Sequence, residues 1–213
     1  GHVDRAILDE DPGNFMSLYN SRINVPTPVD ISATAVFNSN TRNIEIELSA
    51  NFVATLQGDY RFNAVILEDG VGPYNQANYY SGGGSGSLVS PITGTNWSTA
   101  GDPVSVYFDH VARAILGGFD GTTGSLPSNI SAGTYTYNYT HNLPISQNEN
   151  NVHVVGMIIN NQNGEIENAI KVDLSNPNSA ELEQALEKIN IFPNPVKDIV
   201  NINGEYLTLD VYT

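Results

Sequence analysis

Residues 29–52 read VDISATAVFNSNTRNIEIELSANF, and the spacing of their apolar side chains decides the fold class. Ile31, Ala33, Ala35 and Phe37 alternate with Ser32, Thr34 and Val36, and residues 38–43, Asn-Ser-Asn-Thr-Arg-Asn, supply turn formers. Ile44, Ile46, Leu48, Ala50 and Phe52 then alternate with Glu45, Glu47, Ser49 and Asn51. A period of two sends successive side chains to opposite faces of a strand, so the stretch is a hairpin whose second strand has one dry face and one wet face.

The same period recurs on either side of later turns. After Gln57-Gly58-Asp59, residues 60–68 are apolar on nearly both faces, as a central strand would be, and residues 104–117 also have strand character. Tyr135, Tyr137, Tyr139 and His141 alternate with Thr134, Thr136, Asn138 and Thr140, a stripe expected to pack on the core because aromatic residues favour strands. Residues 152–159 form an almost unbroken apolar run, hence a second central strand, and residues 165–174 alternate again beyond a turn at 160–164. At least seven strands with short turns and almost no helix predict an all-β fold, an antiparallel two-sheet sandwich of immunoglobulin-like or jelly-roll-like type.

The ends depart from this rhythm. Asp11-Pro12 suits a cap and first helical position, and Phe15, Leu18, Tyr19 and Arg22 follow helical spacing before Pro26 and Pro28 forbid a helix. That predicts a short helix covering one end of the main domain. Beyond Ser175-Asn176-Pro177, Asn178 and Glu181 suit a capped helix over 180–189 with Leu182, Ala185, Leu186 and Ile189 on one stripe, and short strand-like pieces follow within 199–213. The expected divisions are an N-terminal remnant with its helix at 1–28, the sandwich at 29–175, a linker helix at 176–190 and a distinct tail at 191–213. The chain opens at Gly1 without an initiator Met or a visible signal peptide and reads as part of a longer one.

Charge narrows the functional classes. Eight Lys and Arg against 23 Asp and Glu give a net charge of -15, which repels phosphate backbones and anionic membranes alike. Acidity suits divalent cations, although its commoner consequence is a soluble surface. With 0 cysteines there is no disulfide, thiol catalysis or zinc-thiolate site. No apolar run approaches the ~18 residues that a spanning helix needs.

Two stretches carry family resemblances. Ile191-Phe192-Pro193-Asn194-Pro195-Val196-Lys197-Asp198, followed by the apolar Ile199-Val200-Asn201-Ile202, is similar to the opening of the C-terminal sorting domain of the type IX secretion system of Bacteroidetes. On that resemblance Phe192, Pro193, Asn194, Pro195 and Asp198 form a sorting motif, and the secretion machinery is a partner. Tyr107-Phe108-Asp109-His110-Val111-Ala112-Arg113-Ala114-Ile115-Leu116-Gly117-Gly118, with its flanking strands, resembles the twenty-eight-kilodalton outer membrane protein family over residues 1–175. That resemblance implies a β-sandwich on the cell surface or outside the cell, behind a thioredoxin-like domain of which Gly1-His2-Val3-Asp4-Arg5 would be a remnant. It carries over no catalytic residue.

The residues themselves offer a few sites. Asp109, Val111 and Arg113 should share one face of a strand and His110 and Ala112 the other, all as structural residues, with Arg113 pairing with an acidic neighbour. His110 would gain a metal role only if His141 or His153 lay across the sheet. Asp69 and Asp120 head oxygen-rich Asp-Gly turns that could take Ca²⁺, but turn chemistry alone accounts for such pairs. Residues 71–103 lack periodicity and hold Tyr74, Tyr79, Tyr80, a Gly-Ser run and the single tryptophan, Trp97. Those rings either stack on a sugar or anchor a protein, or fold back as a cover. No Gly-x-Ser-x-Gly elbow or phosphate loop is present. The expected function is a secreted or cell-surface, non-catalytic module binding protein or glycan, without a cofactor. A spacer for a thioredoxin-like domain comes second and a carbohydrate-active enzyme third.

Overall fold

Alternation in residues 29–52 becomes a long antiparallel hairpin. In the computed structural model, which describes residues 3–7, 11–83, 88–91, 93–176, 190–192 and 201–203, Val29–Asn38 (β1) pairs along its whole length with Asn43–Phe52 (β2). β2 pairs on its other side with the tyrosine-rich strand β9, Gly133–Asn142, giving a three-stranded sheet ordered β1-β2-β9. Opposite it, Glu165–Asp173 (β11), Val152–Asn160 (β10), Tyr60–Glu68 (β4) and Val111–Ile115 (β7) form a four-stranded antiparallel sheet in that order. The fold is an all-β sandwich.

The inner faces explain the pairing. Ile44, Ile46, Leu48, Ala50 and Phe52 of β2 lie in one buried cluster with Phe62, Ala64 and Ile66 of β4 and Val152, Val154 and Ile158 of β10. Full burial of such side chains stabilises by about 1.5–3 kcal/mol each. The outer face of the two central strands is partly covered, Met157 and Ile159 being buried and Val65, Leu67 and Val155 half-buried. The segment after β7 folds across β4, where Asn63 Nδ2 donates to Gly118 O (2.7 Å) and Gly117 N donates to Asn63 Oδ1 (2.9 Å). At the β1/β11 edge the sheets are tied by the chain leaving β11, with Ser175 N donating to Ala35 O and Phe37 N to Ser175 O at 2.8 and 2.9 Å.

Tyr135, Tyr137 and Tyr139 pack on the core rather than forming a platform. Tyr137 stacks on Phe62 at 6.0 Å, Tyr135 meets Phe52 edge-on, and Tyr139 Oη donates to Phe62 O at 2.9 Å. Burial pushes the Tyr139 hydroxyl up to about 12. His141 ends this stripe with Nε2 buried and unpartnered, and burial lowers its pKa.

The N-terminal helix forms, as α1 over Phe15–Arg22 after a 3-10 turn at Pro12–Asn14, and Gly13 N donates to Asp11 Oδ1 at 2.7 Å. It does not cover an end of the core, however, since none of its residues is buried and Phe15 and Tyr19 stay exposed. Eight residues bounded by prolines present too small an apolar stripe, and the tie to the body is ionic, from Arg22 to Asp4 (3.1 Å) and Glu165 (3.8 Å). The helix expected at 180–189 lies outside the described residues, as do Pro193, Asn194, Pro195 and Asp198. Phe192 ends the short strand Asn190–Phe192 (β12), which pairs antiparallel with Asn201–Asn203 (β13).

Gly156 faces the opposite sheet, and a Cβ there would stand 2.5 Å from Leu48 Cδ2. Gly156→Val should therefore destabilise by about 1–3 kcal/mol by overpacking, and Leu48→Ala by about 2–5 kcal/mol by leaving a cavity. The double variant should lose clearly less than their sum in urea unfolding, because the valine fills the space vacated by the leucine. His141 supplies a second expectation. Its folded pKa lies below the unfolded value near 6.5, so its contribution is complete above that value and is lost as pH falls through the folded pKa. His141→Phe should remove that loss, and wild-type and variant stability profiles that stay parallel below pH 6.5 would count against it.

Candidate functional site

The aperiodic stretch at 71–103 is in part a hairpin. Val71–Gln76 (β5) pairs antiparallel with Val104–Phe108 (β6) as a separate two-stranded ribbon, so its first residues are strand rather than loop. Gly72 and Pro73 hid this from the period-two reading, because the register shifts between Val71 and Tyr74. Gly72 has φ +142°, and a Cβ there would lie 2.8 Å from Val106 O, so the close approach of the two strands needs glycine.

Asn78 organises the excursion that this ribbon carries. Its side chain is buried, Nδ2 donating to Trp97 O (2.9 Å) and Gly101 O (3.3 Å) while Oδ1 accepts from Tyr80 N (3.2 Å). Its own backbone N–H donates to Asp102 Oδ1 at 3.0 Å. Pinning the backbone beside it leaves Tyr79 94% and Tyr80 62% exposed, with Tyr74 exposed on β5 and Trp97 half-buried. Tyr79, Tyr80, Trp97, Gln76, Asn78 and Val106 help to line a cavity of about 320 Å³. Tyr74 is not among its lining residues.

The ribbon is rooted by two reciprocal aspartate turns. Residues 104–117 are not one strand: β6 ends at Phe108, Asp109 and His110 make a bend in which His110 has φ 57°, and β7 begins at Val111. The shared-face reading of Asp109 with Arg113 and of His110 with Ala112 is corrected accordingly. His110 N donates to Asp69 Oδ1 (2.7 Å), and Gly70 N donates to Asp109 Oδ1 (2.9 Å), so each bend caps the other. On β7, Arg113 Nε lies 3.1 Å from Glu68 Oε2.

His153 joins this root from β10. Its Nε2 stands 2.7 Å from Asp69 Oδ2 and its Nδ1 2.7 Å from Asp173 Oδ1, the latter a direct cross-strand neighbour in the β10–β11 register. His110 Nδ1 is 3.7 Å from Asp69 Oδ1, whereas His141 lies on β9 of the other sheet. The His110 backbone N–H, and then the His153 ring, hold the Asp69 carboxyl below its ordinary value near 3.8. Among the described residues no group of three or more His, Asp or Glu side chains is placed to hold a metal ion. Asp69 is engaged as above, and Asp120 contributes to holding the Arg61 charge, after Asp59, which bonds that guanidinium directly.

Sequence reasoning found the aromatic residues but not what arranges them. A lone Asn78 carries no pattern, and Asp173 becomes visible as a partner of His153 only once strand register is known. Arg42, read as a turn residue, instead stitches that turn to the far rim, reaching Leu143 O (3.1 Å), Gln147 O (2.9 Å) and Glu149 (3.2 Å).

A family model described as outer membrane protein Omp28 matches residues 3–178. A solved crystal structure of a domain of the outer membrane lipoprotein Omp28 from Porphyromonas gingivalis is 15% identical, the match covering 72% of this chain and 93% of that one with a TM-score of 0.40. No curated protein matches the chain.

The aspartate clasp makes a pH-dependent expectation. A carboxyl lowered in the folded state contributes stability that is complete above its unfolded value and is lost as pH falls through the folded one. The His110 amide proton, followed by NMR, should therefore titrate with a midpoint below 3.8, and Asp69→Asn should abolish that titration. An amide shift indifferent to acid in the wild type would remove the clasp from the account.

Proposed function

This chain belongs to the Omp28 outer membrane protein family and lies at the outer-membrane surface, and on that premise we propose that it is a non-catalytic module that binds a partner through its aromatic excursion. The observation that carries the reading is the way Tyr79 and Tyr80 are displayed. Two large rings stand in water on a backbone fixed by the buried Asn78, beside a cavity that Trp97 also lines. Rigid, amphipathic rings whose exposure is prepaid by an ordered scaffold are the side chains that dominate binding energy when covered.

A non-catalytic role is favoured by the constellation around His153, which among the described residues resembles a catalytic relay. Both ring nitrogens of His153 face carboxylates at 2.7 Å, so neither is directed at a hydroxyl nucleophile. The tail bearing Phe192, Pro193, Asn194, Pro195 and Asp198 is, in this reading, the address that type IX machinery takes. A spacer role behind a thioredoxin-like domain remains the second reading; it would leave the display of Tyr79 and Tyr80 without a use.

The test is binding of the purified protein to whole cell surfaces, measured by flow cytometry. Tyr79→Ala combined with Tyr80→Ala should weaken it about tenfold or more, since buried aromatic anchors are commonly worth about 2 kcal/mol or more. Both rings are exposed, so thermal stability should hardly change. Undiminished binding by a folded double variant would refute the assignment.

A further inference from the structure

We propose that the ligand of the aromatic excursion is an uncharged glycan, a proposal that rests on the binding reading above and gives it a chemical class. Charge is the first argument. The protein carries a net charge of -15, yet from residue 71 to residue 108 the only ionisable acid or base apart from tyrosine is Asp102. That carboxylate is already engaged, through Oδ1, with the Asn78 backbone N–H. An anionic glycan or acidic partner would meet no cation here and would be repelled by the surrounding surface. A basic partner would find a single carboxylate in this segment, Asp102, with one oxygen already engaged.

Shape is the second argument. The cavity, at about 320 Å³, is at the lower end of the range of small-ligand sites, about 300–1,000 Å³. A stable protein partner would instead need about 800 Å² of contact on each side. The lining also has the right mixture of surfaces. Tyr79, Tyr80 and Trp97 line it with the aromatic surface that the apolar C–H faces of a sugar pack against, Val104 and Val106 add half-buried apolar side chains, and the Gln76 amide can serve both a hydroxyl donor and a hydroxyl acceptor. Asn78 is a positioning residue, because its amide is already bonded to Trp97 O, Gly101 O and Tyr80 N.

The molecule carries its own reporter, since the chain's single tryptophan lines this cavity. Trp97 emission would be titrated with neutral mannan, glucan, xylan and galactan oligosaccharides, and with sialyllactose and heparin fragments as anionic counterparts. At least one neutral oligosaccharide should give a saturable change that is lost in Tyr80→Ala and is unaltered between about 0.05 and 0.5 M salt, because no charge pairing is involved. The anionic counterparts should bind tenfold more weakly or not at all. Preference for an anionic sugar, binding that collapses with salt, or no response to any neutral sugar would overturn the proposal. If no sugar binds while cell-surface binding still depends on Tyr79 and Tyr80, the ligand class is wrong and the binding role stands. If neither is observed, both fall.

Discussion

Contact between the inner faces of two sheets is the constraint on which the rest of this molecule depends. Leu48 of β2 reaches across the gap to 2.5 Å from where a Cβ at Gly156 of β10 would stand, so a larger residue at 156 requires the leucine to move. Around that point Ile46, Phe62, Ile66, Val154 and Ile158 exclude water completely or nearly so. Apolar contact of this kind has no direction of its own, so it fixes which faces meet but leaves the ends of the sandwich undetermined.

Directional polar contacts determine one of them. Arg42 ties the β1–β2 turn to four acceptor groups beyond β9, and cross-links from Ser175 to β1 close one edge. At the same end, just beyond β4, Asp69 takes the His110 backbone N–H and the His153 ring while Asp109 takes Gly70 N. The aromatic ribbon springs from that clasp, outside either main sheet. Its geometry is thus set by a few hydrogen bonds at its root and by Asn78 within it, not by the core. A binding surface built this way can vary in sequence without disturbing the sandwich.

Much of the fold was legible in the sequence because a half-buried strand writes its two faces into alternate positions. β1, β2, β4, β9, β10 and β11 all fall where periodicity put them, and the inward set of β2 is the set named from alternation alone. Reading failed where that code is interrupted. Gly72 and Pro73 conceal β5, and the Asp109–His110 bend has strand formers on both sides, so the residues alone show no break there. The helix at Phe15–Arg22 was found by its spacing, but spacing states what could be buried, not what is.

By itself, then, the sequence determined the all-β class, the inward faces, the acidity that repels polyanions, and the presence of an aromatic segment unlike the rest. Those are properties of residue type and local period, which need no partner strand to be read. Tertiary structure alone decided that Asp69, His110, His153 and Asp173 meet, and that Asn78 holds Tyr79 and Tyr80 out while Trp97 lines a cavity with them. Apart from the consecutive Asn78, Tyr79 and Tyr80, these residues come from separate segments of the chain. Their meeting depends on strand register and on where the sheets close, and a pattern within one segment contains neither.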